Sequence, residues 1–452
     1  MAKGKNVMDN KIAKFDKRRW LVLLIFGLAG QIAWSVENMY FNLFVFDTVA
    51  QNLDAITLMV QLSGIVATAV TLISGTISDK VGNRRKFISI GYIIWGVTVI
   101  MFGYLSPELF AGLLGVDMTR AISITLVSVV VGDCIMTLFG SMANDACFNA
   151  WVTDNTEASF RGTVEGVLSI LPLIAMLIVA GGFGILVSAL GYSTVFLLLG
   201  IVISICGIVG VFIIEDSDSL VKNGELKDIL YGFRPSVINN NRPLYITLII
   251  VMIYGVATQT FMPYLIIYMK TYLEFSVVEY SIVFGVAIVF GAIINVVLGR
   301  ISDRNDKSEL LYIAAVIMAL GLFAMYMAKD MGHTANLIFF GLSGFAMITG
   351  YIFVASLTGS IVRDYTPALD TGKLQGVRMV FSVLIPMLVG PLVGNAINKA
   401  RNIPLEDAGA DAMTTMYMPA PEIFLVGALI CLLMLVFIPV LRKEIAKCKG
   451  LN

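Results

Sequence analysis

The sequence predicts an all-α integral membrane protein whose twelve transmembrane helices form two homologous six-helix bundles. Three observations carry this prediction. Only 14% of the residues are charged and 58% are hydrophobic, with a mean hydropathy of +0.88, where a soluble domain carries about 25% charged residues. Apolar runs long enough to cross the hydrocarbon core, which takes roughly 20 residues each, recur along the chain. Short motifs of the first half return at equivalent places in the second.

The first six runs lie near 21–46, 55–77, 87–105, 121–150, 163–189 and 193–214, and the second six near 243–268, 277–299, 310–328, 335–361, 373–397 and 421–440. Their continuous apolarity excludes the short alternating strands of a membrane barrel. A polar segment, 1–20, precedes the first bundle, 21–214; a linker, 215–242, leads to the second bundle, 243–440; residues 441–452 form a tail. The apolar stretch after the amino-terminal segment is too long for a signal-peptide core, so the first helix is expected to be retained.

Lys and Arg total 31 and Asp and Glu 31, so no net charge draws the chain to nucleic acid. With both termini placed on one side, twenty-five basic residues fall on that side. The other side holds Arg120, Lys270, Lys329, Lys399 and Arg401, and Arg378 stays inside a helix. This asymmetry predicts a multi-pass protein of the plasma (cell inner) membrane with both termini and the linker cytoplasmic. Cys134, Cys147, Cys206, Cys431 and Cys448 lie mostly in apolar runs and are expected as free thiols.

Val152, Asp154, Thr156, Ala158, Gly162, Gly166 and Val167 match Val362, Asp364, Thr366, Ala368, Gly372, Gly376 and Val377 at a constant spacing of 210. After spans 2 and 8, Gly75, Ile77, Ser78 and Asp79 pair with Gly299, Ile301, Ser302 and Asp303. Two homologous halves related by an axis along the membrane normal are a transporter architecture.

The run Gly75-Thr-Ile-Ser-Asp79-Lys80-Val-Gly82-Asn-Arg84-Arg85-Lys86 resembles the signature loop between helices 2 and 3 of the major facilitator superfamily, with a degenerate copy at Gly299 to Lys307. Asn83 departs from the consensus, and the second copy lacks the double arginine. Within that superfamily, four features resemble the glycoside, pentoside and hexuronide cation symporters and sucrose-transporter-like proteins. They are Phe26-Gly27, a polar first helix ending at Asp47, a long fourth helix running into Val152-Thr153-Asp154, and Arg161. The resemblance implies a major facilitator fold acting as a monomer, a sugar or glycoside as the small-molecule substrate, and a proton or sodium ion as the coupling ion, with no other cofactor. It also implies gating by Gly75, Asp79, Arg84, Arg85, Arg161, Asp303 and Arg378. Asp79 would dock on the start of helix 11 near Gly372, where free N–H groups and the helix dipole favour an anion, and Asp303 would mirror it near Gly162. The alternative is a solvated basic loop that only fixes topology.

Acids inside spans cost about 2.5–3.5 kcal/mol at the bilayer centre, so each calls for a reason. Asp133 shares a face of helix 4 with Thr137, Asn144 and Trp151 at 100° per residue, a stripe suited to a hydroxylated ligand or a cation; a buried structural carboxyl is the alternative. On helix 1, Gln31, Ser35, Asn38 and Asn42 share a face, with Glu37 about 120° away. Asp145 is off the Asp133 face, near the inner end of helix 4. The repeat sends Asp133 to Ser343 and Asp145 to Ala355, so the intramembrane acids belong to the first half. On helix 7, Tyr254, Thr258, Phe261 and Tyr268 fall on one side, as a sugar platform or as packing. Arg378 is a gating partner, a snorkelling side chain or a ligand contact.

No GxxxxGK[ST] loop, nucleophile elbow or paired metal motif occurs, and the single histidine, His333, falls in a loop. The expectation is a secondary transporter and not an enzyme, working by alternating access. A drug or metabolite exporter, a lysolipid transporter and a channel are the alternatives.

Overall fold

The computed structural model describes residues 16–156, 161–217, 231–302, 306–328, 331–367, 371–405 and 417–448. Among them, 12 helices are long and apolar enough to cross a membrane. The first six are α1 (Lys17–Val49), α2 (Leu53–Val81), α3 (Arg84–Phe102), α4 (Met118–Asn155), α5 (Ile170–Leu190) and α6 (Tyr192–Ile213). The second six are α7 (Arg242–Thr271), α8 (Val277–Asn295), α9 (Lys307–Met327), α10 (His333–Tyr365), α11 (Gly376–Arg401) and α12 (Glu422–Cys448). The helices carrying α5, α8 and α11 reach Arg161, Ser302 and Thr371.

Each apolar run of the sequence is a helix, and most helices outrun their apolar part. Backbone hydrogen bonding does not stop at the hydrocarbon boundary, so α4 continues to Asn155 and α12 through Arg442 to Cys448. Runs too short to span were not anticipated. They are the helices Pro107–Leu114 and Pro235–Asn240, and a two-stranded antiparallel hairpin of β1 (Ile403–Pro404) and β2 (Tyr417–Met418).

Packing shows the internal repeat. In the first half α3 packs on α6, α1 on α5, and α4 on both α2 and α3; in the second, α9 packs on α12, α7 on α11, and α10 on both α8 and α9. The halves meet where α2 lies along α11 and α5 along α8, each contact the image of the other. Hydrocarbon offers no hydrophobic drive between helices, so close approach depends on small residues. A methyl on Gly96 would fall 2.3 Å from the Gly200 carbonyl oxygen, and one on Gly200 would fall 2.4 Å from that of Gly96. Gly321 and Gly350 seat α9 on α10 in the same reciprocal way, 2.3 and 2.4 Å from the Met347 and Met318 backbone nitrogens. Large apolar side chains such as Val127, Phe212, Leu320 and Val436 are left on the outer surface, where lipid covers them.

Replacing Gly96 by Leu should therefore destabilise the protein by about 1–3 kcal/mol through overpacking. Gly112→Ala, where the added methyl meets nothing within 4 Å, should leave stability unchanged or raise it slightly. Thermal unfolding in detergent checks the pair, and equal midpoints for both variants would contradict the close packing of α3 on α6.

Candidate functional site

The signature loop turns on two residues. Gly82 ends α2 in the left-handed region at φ 67°, and Asn83 caps α3 by accepting from the Lys86 amide at 3.1 Å. The unusual Asn83 is thus a helix start signal. The turn sets Arg84, the first residue of α3, against the ends of α2 and α4. Its guanidinium is 3% exposed, pairs with Asp79 and Asp154 (3.1 Å), and donates to the Ser78 hydroxyl. A planar five-donor fork suits such multiple engagement. The second half holds the matching pair: Lys307, the first residue of α9, contacts Asp364 and Ser360, each at 2.7 Å. Asp364 is the repeat equivalent of Asp154.

Of the expected gating residues, Asp303 and the side chain of Arg161 lie outside the described residues, as do the surroundings of the docking positions Gly162 and Gly372. Asp79 has Arg84 as its partner. Arg85 is exposed, and its amide donates to Asp216 at 3.0 Å. Arg378 is also exposed and lies toward the terminal end of α11. A methyl on Gly75 would meet nothing within 4 Å among the described residues.

Deeper in the first half, two acids are buried: Glu37 is 9% exposed and Asp133 1%. Thr137 donates to Glu37 Oε1 at 3.1 Å, and Ser63 of α2 lies beside Asp133. Both Asp133 and Asp145 are close enough to Glu37 for like-charge interaction. Glu37 Oε2 and Asp133 Oδ1 have no hydrogen-bond partner among the described residues. The helical projection separates Glu37 from its own helix's polar face, and the structure adds what a projection cannot give: that side of α1 abuts α4, so Glu37 joins the Asp133–Thr137 stripe. Asp145 is half-buried. Such a group of carboxylates and hydroxyls can hold a proton or a hard cation, which takes oxygen ligands.

Other members of the stripes turn away, for a local reason. Glu37–Phe41 of α1 and Ser141–Phe148 of α4 are π-helical, and the extra residue in a π turn breaks the 100° register. Gln31 and Ser35 stay half-buried and Asn38 exposed, while Asn42 falls to 2% exposed. Asn144 leaves the Asp133 face: its Nδ2 donates to the Tyr92 hydroxyl at 2.6 Å and to the Phe26 carbonyl at 3.3 Å, which also receives the Tyr92 hydroxyl at 2.7 Å. Helix α7 is interrupted by a 3-10 turn at Met262–Tyr264, which breaks the register for the residues beyond it, Tyr268 among them. Phe261 and Tyr268 pack on Phe424 at 5.6 and 5.0 Å between ring centroids, in the core of the second half. Thr258 is buried and donates to the Tyr254 carbonyl at 2.9 Å. Tyr254 remains accessible, 5.4 Å from the Tyr351 ring of α10. Tyr351, Tyr92 and Ser63 were not singled out from sequence, because nothing in the pattern of their own helices sets them apart.

The Major Facilitator Superfamily profile matches residues 19–391. The fold is similar to that of the nucleoside transporter NupG, with a TM-score of 0.66 and 12% identity over 95% of this chain and 100% of that one. It is also similar to the partially occluded inward-open conformation of the xylose transporter XylE from E. coli, with a TM-score of 0.63 and 13% identity over 92% and 97% of the two chains. A multi-drug resistance efflux pump PmrA homolog from Lactococcus lactis subsp. lactis (strain IL1403) is 23% identical over 255 residues, 55% of this chain. The match spans 60% of that protein's length. Twelve apolar helices, their repeated packing and the matched profile together place the chain in the major facilitator superfamily, as a multi-pass membrane transporter of small molecules and not an enzyme.

Proposed function

We propose that the chain is a cation-coupled symporter of a sugar or glycoside, with the Glu37–Asp133 pair as the place where a proton or sodium ion binds. The buried pair is the observation that carries the reading. Two carboxyl groups in a span, with an orphan oxygen on each, are stable only when a bound cation, a proton or a hydrogen-bond donor compensates them. The substrate class rests on the rest of the cavity wall. Asn38 is exposed in mid-span; its Nδ2 donates to the Trp34 carbonyl at 2.8 Å, and hydrocarbon would give its Oδ1 no donor, so Gln31, Ser35 and Asn38 belong on an aqueous path. Amides from the first half and the Tyr254–Tyr351 pair from the second suit a hydroxylated ring held between the halves 21–214 and 243–440, which rock about it in a single chain. The resemblance to sucrose-transporter-like proteins points the same way.

A second reading, export of an organic cation, is favoured by the excess of buried acid over base and by the likeness to the efflux pump homolog. Binding of sugars and of amphiphilic cations to the purified protein, with and without sodium and at two pH values, separates the two.

Asp133→Asn removes the charge and keeps the shape. In proteoliposomes under an imposed proton or sodium gradient it should abolish concentrative uptake while retaining part of counterflow, because ion and substrate binding are reciprocally linked. Thr137→Val should weaken coupling less, as it frees one oxygen of Glu37. Concentrative uptake at the wild-type level in Asp133→Asn would remove Asp133 from the coupling site.

We further propose plasma-membrane residence with cytoplasmic termini, on the basic-residue asymmetry. The exposed Arg85, replaced by Cys in a background lacking the native thiols, should resist impermeant reagents in intact cells and label after permeabilisation. Labelling from outside would invert the topology.

A further inference from the structure

The side opposite the termini carries few basic residues, and two of them reach across the halves. Lys270 at the end of α7 pairs with Asp47 at 2.6 Å, and Lys399 at the end of α11 pairs with Asp54 at 2.6 Å. Both aspartates flank the turn between α1 and α2, whose Asn52 caps α2 by accepting from the Asp54 and Ala55 amides. Each ion pair is backed by neutral groups. Tyr192 donates to the other oxygen of Asp47 at 2.8 Å. Asn395 donates to Asp54 at 2.5 Å and accepts from Tyr417 of β2 at 3.0 Å. One turn further in, Thr57 meets the Tyr264 hydroxyl at 2.7 Å, Tyr264 reaches the Pro391 carbonyl at 2.9 Å, and Gln61 donates to the Leu388 carbonyl at 2.8 Å.

On the terminal side, by contrast, Arg84–Asp154, Arg18–Glu215, Lys307–Asp364 and Arg442–Glu309 each stay within one half. Among the described residues, these ion pairs cross between the halves on one face and stay within a half on the other.

We infer that Asp47 and Asp54 form a two-point latch that shuts the side opposite the termini, holding α7 through Lys270 and α11 through Lys399, and that it must open for the cavity to face that side. The latch is strong enough to bias two states and weak enough to release. Lys270, Asp54 and Lys399 keep 42%, 50% and 53% of their side-chain surface exposed, so solvent screens the pairs. Burial pushes the Tyr417 hydroxyl up to about 12, so it remains a donor to Asn395 across the physiological range. The β1–β2 hairpin thereby braces Asn395 against Asp54. The inference rests on alternating access, and not on the identity of substrate or ion.

The test measures distances across this face between spin labels at Thr119→Cys and Thr334→Cys, on the exposed first turns of α4 and α10. The background lacks the native cysteines, and neither substrate nor gradient is added. Asp54→Asn and Lys399→Asp should each raise the long-distance population about two- to five-fold relative to the short one. The exchanged pair, Asp54→Lys with Lys399→Asp, should restore the original distribution. Asp47→Asn and Lys270→Gln supply an independent arm with the same expected shift. Unchanged distributions in folded, monodisperse single variants of both pairs overturn the latch, as does a shift that the exchanged pair fails to reverse. A failure here leaves the coupling role of Asp133 standing, because that role is read from uptake and counterflow.

Discussion

Hydrocarbon supplies no hydrogen bonds, and this single deficit governs where polar groups stand in the molecule. Every polar side chain within a span must find a partner, face water, or carry an unmet demand. Asn144 finds Tyr92 and Phe26, and the amide of the exposed Asn38 finds the Trp34 carbonyl. Among the described residues, Glu37 and Asp133 each keep an oxygen unmet. The same deficit explains the glycine-lined contacts of α3 with α6 and of α9 with α10, since helices without a hydrophobic drive gain from intimate packing.

Two classes of contact result, and the division between them is functional. Within a half, helices approach through glycines, aromatic clusters and buried charge. Between halves, on the side opposite the termini, solvent-screened ion pairs join buried hydrogen bonds and close packing, as of Gly184 on Val277. Rigid bodies joined by breakable contacts are what a two-state carrier requires, because a ligand shifts such an equilibrium only by its differential affinity for the two states.

The spans and the internal repeat were legible in the sequence, because both are written in local terms: apolar runs of sufficient length, and matched Gly and Asp positions. The acids were legible too, since an intramembrane carboxylate is conspicuous in an apolar run. The arrangement of their neighbours was not. A projection at 100° per residue carries Asn42 and Asn144 onto faces they do not occupy, because π turns intervene at Glu37–Phe41 and Ser141–Phe148. The turn at Met262–Tyr264 likewise shifts Tyr268 in register from Tyr254, while Phe261, before the turn, is packed on Phe424. Lys270 and Lys399 counted in the sequence only toward topology, for their partners lie hundreds of residues away and no local pattern joins them.

The two halves share ancestry, yet their terminal-side corners are not equivalent. In the first, a guanidinium enclosed by Ser78, Asp79 and Asp154 joins three helix ends with directional bonds. In the second, among the described residues, the ammonium of Lys307 links α9 to α10 through Ser360 and Asp364, on a flexible stem that is 29% exposed. A planar fork resists shear and a tethered point charge tolerates it. The duplicated scaffold has thus diverged in the chemistry of this corner: the half that holds the buried acids anchors it with a planar guanidinium, and the other with an ammonium.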